Sequence, residues 1–179
     1  FVTIGYHVKY MSGYMDGTFR PDVKVSRAEV ATLIARANPQ YSEGTIYSGS
    51  LKDLTAPWYK NYVNFNVSKG ILSGYNDGSF KPDSTITRAE FASIIARFLG
   101  LENTGTANFN DTKGHWAEGY ISALVQKGML KGYADGSFKP NATLTRAEAV
   151  TVLNAAFDRT PDKKQVQDDM AKYGVNLKD

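Results

Sequence analysis

Apolar residues recur with helical spacing in the middle of the chain. Phe91, Ala92, Ile95, Phe98 and Leu99 follow one another at positions i, i+1, i+4, i+7 and i+8. This spacing is typical of a helix that buries one face, because one helical turn takes 3.6 residues. Similar stripes occur near the start and near the end of the chain, so the sequence predicts at least three such helices.

Each of the three stripes begins with the same four residue types. Ser or Thr, then Arg, Ala and Glu, start at Ser26, Thr87 and Thr145. A Ser or Thr at the N-cap with Glu three residues later forms a capping box, in which each side chain accepts from the other residue's backbone N–H. A helix is therefore predicted to begin directly after each of these three residues.

The helix starts belong to a longer repeat. Residues 74–90 (GYNDGSFKPDSTITRAE) and 132–148 (GYADGSFKPNATLTRAE) agree at 13 of 17 positions, and residues 13–29 (GYMDGTFRPDVKVSRAE) form another copy. An Asp-Gly turn between aromatic residues, followed by proline, predicts a short ordered loop ahead of each helix. The copies are 61 and 58 residues apart, and units of this size bury their apolar faces by packing on one another.

A second helical pattern precedes the loop in copies two and three. It carries Trp58 and Tyr62 in one copy and Trp116 and Tyr120 in the other, with a glycine after each, which is typical of a helix end. Each unit is thus predicted to be helix, loop, helix. The predicted fold class is mainly all-α, a pseudo-threefold helical repeat domain with a central three-helix bundle.

Copy one departs from this plan. Residues 1–12 lack Trp and are rich in β-branched and aromatic residues. The segment is therefore compatible with a strand and with a shortened helix. The last three residues resemble Leu51-Lys52-Asp53 ahead of the Trp58 helix, and we expect the chain to continue into a Trp-bearing helix that completes copy one. The predicted domains are 1–50 (repeat one with an incomplete lead-in, and a linker), 51–108 (repeat two), 109–157 (repeat three) and 158–179 (C-terminal tail).

Composition argues against several classes of function. The chain has 21 Lys and Arg against 18 Asp and Glu, with no run of five like charges, so nucleic acid is a poor candidate partner. It has no cysteine and only two histidines at non-equivalent places, which leaves little material for a metal site or a Ser-His-Asp arrangement. No apolar stretch approaches the roughly 20 residues of a membrane span. We expect no catalytic residues, no cofactor, no metal and no membrane insertion.

The arginine of each helix start is not explained by capping or packing. Arg27, Arg88 and Arg146 stand at the first helical position, where the helix dipole disfavours a cation by about 0.3–1 kcal/mol. One interpretation is an anion site, in which unpaired N–H groups of the helix start and the guanidinium hold a carboxylate or phosphate. The structural alternative is a salt bridge within each copy to the aspartate of the turn, and the two roles can coexist. These aspartates are Asp16, Asp77 and Asp135.

Two tryptophans are further candidates. Trp58 and Trp116 occupy the same place in copies two and three. An indole at the start of an amphipathic helix packs in the core or stacks on the face of a sugar, and the sequence leaves both interpretations open.

The series Gly-Tyr-x-Asp-Gly-Ser/Thr-Phe-Lys/Arg-Pro, followed by Ser/Thr-Arg-Ala-Glu, resembles the S-layer homology repeats of bacterial surface proteins. So does Phe109-Asn110-Asp111 followed by His115-Trp116-Ala117. The resemblance covers residues 1–157. It implies a three-pronged pseudo-trimer with ligand grooves between adjacent units, which binds secondary cell wall polysaccharide, often through a pyruvylated terminal sugar. By position, the family's arginine, turn glycine and helix-start tryptophan correspond to Arg27, Arg88, Arg146, Gly13, Gly74, Gly132, Trp58 and Trp116.

The leading hypothesis is therefore an extracellular anchor that holds a surface protein on the cell wall by binding an anionic glycan, with a functional domain fused outside this chain. The carboxylate of a pyruvate ketal is the kind of anion that the arginines suit. The alternative is a self-assembly module in which the arginines form salt bridges between subunits. We expect the grooves fed by Trp58 and Trp116 to be the better binding sites.

Overall fold

The computed structural model describes residues 17–157. Within that range the chain forms the helices α1 (Arg27–Ala37), α2 (Pro57–Ser68), α3 (Arg88–Phe98), α4 (Glu118–Gln126) and α5 (Arg146–Ala156). This part of the chain contains isolated β-bridges but no strand, so the predicted mainly all-α class is confirmed. The copy-one lead-in and the tail lie outside the described residues, and the predictions about them are not addressed.

The capping boxes form at all three predicted helix starts. The hydroxyls of Ser26, Thr87 and Thr145 each accept the N–H of the Glu three residues later, and that Glu accepts the N–H of its cap. The residue at which each of α1, α3 and α5 begins is therefore determined by local sequence.

The helix that precedes the loop in one copy packs against the capped helix of the copy before it. Helix α2 packs on α1, and α4 packs on α3. The Asn66 side chain joins the first pair, because its amide donates to the carbonyls of Ala31 in α1 and of Tyr62 in α2. The copies therefore interlock, and the apolar core runs continuously through all three of them.

A ring of three backbone hydrogen bonds lies at the centre of the domain. The N–H of Val25 donates to the carbonyl of Leu144, that of Leu144 to Ile86, and that of Ile86 back to Val25, over 3.0–3.1 Å. All three side chains are buried. Each residue lies just before the N-cap of its helix, so the ring places the starts of α1, α3 and α5 around one pseudo-threefold axis.

The loop of each neighbouring copy receives the first N–H groups of a helix. In α1, the N–H of Arg27 donates to the carbonyl of Ser84 and that of Ala28 to the carbonyl of Pro82, both over 2.9 Å. Helix α3 uses the loop of copy three in the same way, and α5 uses the loop of copy one. Since the first N–H groups of a helix have no acceptor inside it, each copy completes the next one.

None of the helices in residues 17–157 has the length and apolar character that a bilayer crossing requires.

We expect Thr145→Ala to destabilise the domain by about 1 kcal/mol, because the backbone N–H of Glu148 loses its acceptor. Urea unfolding followed by circular dichroism measures the loss. Thr151→Ala is the matched control, because Thr151 is exposed on the same helix and its hydroxyl only donates back to Ala147. That variant should stay within about 0.5 kcal/mol of wild type. Equal losses in the two variants would contradict a specific capping contribution.

Candidate functional site

The arginine of each helix start is buried and reaches into the next copy. Arg27 donates from Nε to the carbonyl of Phe80 over 2.8 Å, and from its terminal nitrogens to Glu90 Oε1 over 3.1 Å and to the carbonyl of Ser73 over 3.2 Å. Only 6% of Arg27 is exposed. The guanidinium of copy one is thus held by the loop and by the capping Glu of copy two.

The same contacts recur between copies two and three. Arg88 donates from Nε to the carbonyl of Phe138 over 2.8 Å, and its terminal nitrogens contact Glu148 Oε1 over 3.3 Å and the carbonyl of Lys131 over 3.1 Å. The side chain is as deeply buried as that of Arg27.

The third arginine, in copy three, contacts residues of copy one. Arg146 donates from Nε to the carbonyl of Phe19 over 3.1 Å and pairs with Glu29 Oε1 over 3.4 Å. The three arginines therefore close a circle, from copy one to two, from two to three and from three to one.

The predicted salt bridge within each copy is wrong for the described aspartates. Asp77 Oδ1 accepts the N–H and the hydroxyl of Ser79, and Asp135 does the same with Ser137. The Ser79 hydroxyl and N–H lower the pKa of Asp77 below its usual value. These aspartates shape the turn, and the arginines pair with the capping Glu of the next copy instead. Asp16 lies outside the described residues.

The N–H groups invoked by the anion-site hypothesis are also engaged. At the starts of α1, α3 and α5, the first two N–H groups donate to carbonyls of the neighbouring loop, and the third donates to the N-cap hydroxyl. An anion at these positions would have to displace backbone acceptors. The engaged arginines likewise weaken the hypothesis that they bridge separate subunits.

A groove of about 200 Å³ opens beside the Arg27 contact. All three copies contribute to it, because Arg27 comes from copy one, Trp116 from copy three, and the remaining wall from copy two. That wall consists of Leu72, Ser73, Gly74, Tyr75, Glu90, Ser93, Ile94 and Arg97. The predicted residues Arg27, Gly74 and Trp116, which are far apart in sequence, thus meet at one site.

Aromatic rings surround the guanidinium at the back of this groove. Its carbon lies 4.8 Å from the centre of the Tyr75 ring and 4.6 Å from that of Phe80, within the range of cation–π contact. The Tyr75 hydroxyl donates to Glu90 Oε1 over 3.0 Å. Burial, and to a lesser extent the Glu90 carboxylate, raise the pKa of Tyr75, although Arg27 opposes the shift. Tyr75 is therefore a neutral donor at physiological pH.

Arg97 is a groove residue that the sequence interpretation missed. It follows Glu90 by seven residues, so both lie on one face of α3. Its Nε donates to the Tyr120 hydroxyl over 3.4 Å, and its guanidinium carbon lies 5.5 Å from the centre of that ring. The sequence does contain a signal for this position. An arginine occurs at the same place in α1, Arg36, whereas α5 has Ala155 there.

Both tryptophans are half exposed, 52% for Trp58 and 53% for Trp116. Trp116 packs beside His115, with ring centres 5.5 Å apart, and Trp58 meets the edge of Tyr59 at 4.9 Å. An indole that is supported on one side and open on the other favours the sugar-stacking interpretation over the core interpretation.

The turn glycines have a steric role. A Cβ on Gly74 would collide with the side chain of Leu51 and lie 2.8 Å from the carbonyl of Ser79, and Gly132 meets Phe109 and Ser137 in the same way. Only glycine permits this close approach. Gly13 lies outside the described residues.

Asp53 and Asp111 hold the loops and were not predicted as site residues. The Asp53 carboxylate accepts the N–H groups of Phe80 and Lys81, both over 2.7 Å, and Lys81 has a left-handed φ of +56°. Asp111 does the same for copy three over 2.8 Å. Burial alone would raise the pKa of each carboxyl, but the backbone donors outweigh it and lower both pKa values. These bonds stabilise a backbone conformation that costs a non-glycine residue about 1–2 kcal/mol.

No group of three or more His, Cys, Asp or Glu in residues 17–157 is arranged to hold a metal ion.

Comparison with known protein families gives a match to the S-layer homology domain at residues 6–31, 52–92 and 108–150. The three matched segments contain the three copies of the repeat, and they include the groove residues Arg27, Gly74, Tyr75, Glu90 and Trp116 but not Ser93, Ile94 and Arg97.

Individual relatives carry a similar segment as one part of longer proteins. Cell surface glycoprotein 1 of Acetivibrio thermocellus is 38% identical over 171 residues, which is 88% of this chain and 7% of the relative. The cellulosome-anchoring protein of the same organism is 38% identical over 166 residues, 88% of this chain and 37% of the relative. A Bacillus anthracis protein named an uncharacterized cell wall amidase is 35% identical over 154 residues, 81% of this chain and 28% of the relative.

We expect Arg88→Met to cost about 3 kcal/mol of unfolding free energy, because Glu148 and two backbone carbonyls lose a buried charged partner. Urea unfolding measures the effect. Arg36→Met is the control, because Arg36 is exposed and contacts the Tyr62 side chain instead of a carboxylate. Comparable losses in the two variants would argue against a special role of the buried guanidinium.

We expect acid to weaken the loop contact of Asp111. Its pKa is lowered in the folded state, so the stabilisation is present above the unfolded pKa of about 4 and is lost as the pH falls through the lower folded value. Asp111→Asn should be less stable than wild type at neutral pH and should lose less stability between about pH 5 and pH 3. Urea unfolding at several pH values tests this. Parallel pH profiles for the two proteins would contradict it.

Proposed function

The chain belongs to the S-layer homology domain family, and from this premise we propose that it anchors the protein that carries it to the bacterial cell wall by binding an anionic secondary cell wall polysaccharide. The polymer is proposed to present a pyruvylated terminal sugar. The module acts outside the cell, at the cell wall or S-layer.

The observation that carries this proposal is the groove shared by the three copies. It combines the half-exposed Trp116 ring, the Tyr75 ring and two arginines, Arg27 and Arg97, around about 200 Å³. Apolar sugar faces stack on indole and phenol rings. The volume is below the roughly 300–1,000 Å³ of sites for drug-sized ligands, which favours one terminal sugar over a long stretch of polymer.

The net charge of the groove lining supports the proposal of an acidic ligand. The carboxylate of Glu90 compensates one of the two arginines that line the groove, so its lining retains a positive charge. A pyruvate ketal adds a carboxylate to a sugar, and guanidinium groups bind carboxylates through paired, charge-assisted hydrogen bonds.

The same contacts argue for a module without catalytic chemistry of its own. Glu90 Oε2 accepts from the N-cap residue Thr87, while its Oε1 takes Arg27 and Tyr75. A general acid or base needs a carboxyl that is free to exchange a proton with substrate. The amidase named among the relatives shares this segment over 28% of its own length, which fits an anchoring module attached to a separate enzyme.

We also propose that this chain is one part of a larger surface protein. It spans 7% and 37% of the two Acetivibrio thermocellus relatives. One of them is named for anchoring, and we propose the corresponding task here, with the anchored activity residing in a fused domain.

We expect the 179-residue chain to sediment with purified Gram-positive cell-wall sacculi, and to stay in the supernatant when the anionic polymer has been extracted from them. Trp58→Ala combined with Trp116→Ala should lower the bound fraction at least tenfold, because the groove loses the Trp116 stacking surface and copy two loses the equivalent exposed indole. Gln126→Ala is the control, since Gln126 is an exposed, uncharged residue outside the groove lining. Binding that persists after extraction of the polymer would overturn the proposal.

A further inference from the structure

The two arginines of the groove differ in what surrounds their charge. Arg27 is buried, has three hydrogen bonds to protein atoms and pairs with Glu90 over 3.1 Å. Its guanidinium and that carboxylate neutralise each other within the wall. A ligand carboxylate near Arg27 therefore meets Glu90 as well, and like charges at this range repel.

Arg97 has no such compensation. Its Nε contacts the Tyr120 hydroxyl and its guanidinium faces the Tyr120 ring, both of which are uncharged groups. No hydrogen bond or ion pair to its terminal nitrogens exists within the described part of the chain. The side chain is partly exposed, so the two terminal nitrogens can offer parallel donors to a carboxylate.

We infer that Arg97 is the specificity-determining residue of the groove, the one that selects a sugar bearing a carboxylate over the same sugar without it. The inference rests on the proposed function, which it sharpens by separating two roles. Arg27 holds copies one and two together, whereas Arg97 recognises the acidic substituent. Tyr120 acts through Arg97, because its ring and hydroxyl fix the direction of the guanidinium.

The three copies offer an internal comparison. Arg36 of copy one donates from Nε to the hydroxyl of Tyr62 in copy two over 3.3 Å, and its guanidinium carbon lies 5.3 Å from the centre of that ring. In copy two, Trp58 stands where copy three has Trp116. Copy three keeps the contact of Arg88 with Glu148 but has Ala155 at this position. The charge that selects an acidic sugar is therefore expected beside α1 and α3 and not beside α5.

The test uses calorimetric titration of the full 179-residue chain with two probes, a pyruvylated hexosamine and the same hexosamine without pyruvate. Variants are Arg36→Gln, Arg97→Gln and both together. We expect the double variant to lose at least tenfold in affinity for the pyruvylated sugar and to stay within about twofold of wild type for the neutral one. Arg36→Lys with Arg97→Lys should recover part of the preference, since the charge is kept while the paired donors are lost.

Lys127→Gln is the control for charge in general, because it removes a cation from an exposed position outside the groove lining. It should leave both affinities unchanged. Circular dichroism establishes that the variants fold, which the partial exposure of Arg36 and Arg97 favours.

The outcomes separate the inference from the proposed function. If wild type prefers the pyruvylated sugar and the double Gln variant keeps that preference, the inference is overturned while the proposed function stands. If wild type binds neither sugar and does not sediment with sacculi, the proposed function fails and the inference fails with it. An equal loss for both sugars in a folded variant would make Arg97 a general contact and not a selective one.

Discussion

The structure depends on the insertion of each helix-start arginine into the following copy. Arg27 makes several hydrogen bonds to the next copy. Its Nε, both terminal nitrogens and its backbone N–H all donate to atoms of copy two. A buried guanidinium without these partners would be strongly destabilising. The loop of copy two in turn has carbonyls that need donors. Each copy therefore supplies what its neighbour lacks, and the circle closes only when all three are present.

This closure also creates the groove. Arg27 fills the base of the loop of copy two and turns Tyr75 and Glu90 toward it, while the packing of α4 on α3 brings Trp116 to the rim. No single copy supplies all the residues that line the groove. The groove is thus a property of the assembled domain, and a loss of closure would remove it together with the fold.

The sequence was sufficient for the features that are local. The capping boxes, the helix starts and the glycine turns are determined by residues within a few positions of one another, and the structure confirms the helix starts and the caps. The partner of each arginine was not predictable in this way. Because all three copies carry Asp, Arg and Glu at the same places of the repeat, an acidic residue in the same copy and one in the next copy give the same sequence pattern. For Arg88, Asp77 was the nearer choice along the chain, but Ser79 donates to Asp77 locally and Glu148 of the next copy pairs with the guanidinium.

Arg97 was missed for a different reason. Residues that all three copies share are the first candidates for a site, but here they are mainly those that close the circle of arginine contacts. Arg, Glu and the turn aromatics recur because every junction needs them. The position of Arg36, Arg97 and Ala155 varies because the circle of arginine–glutamate contacts does not use it. Arg36 and Arg97 contact the next copy through Tyr62 and Tyr120 instead. A change there alters the charge of one groove without opening the circle. A repeat domain built in this way can diversify its grooves one by one while its framework stays the same, so the residues that distinguish the copies are where its binding preference should be sought.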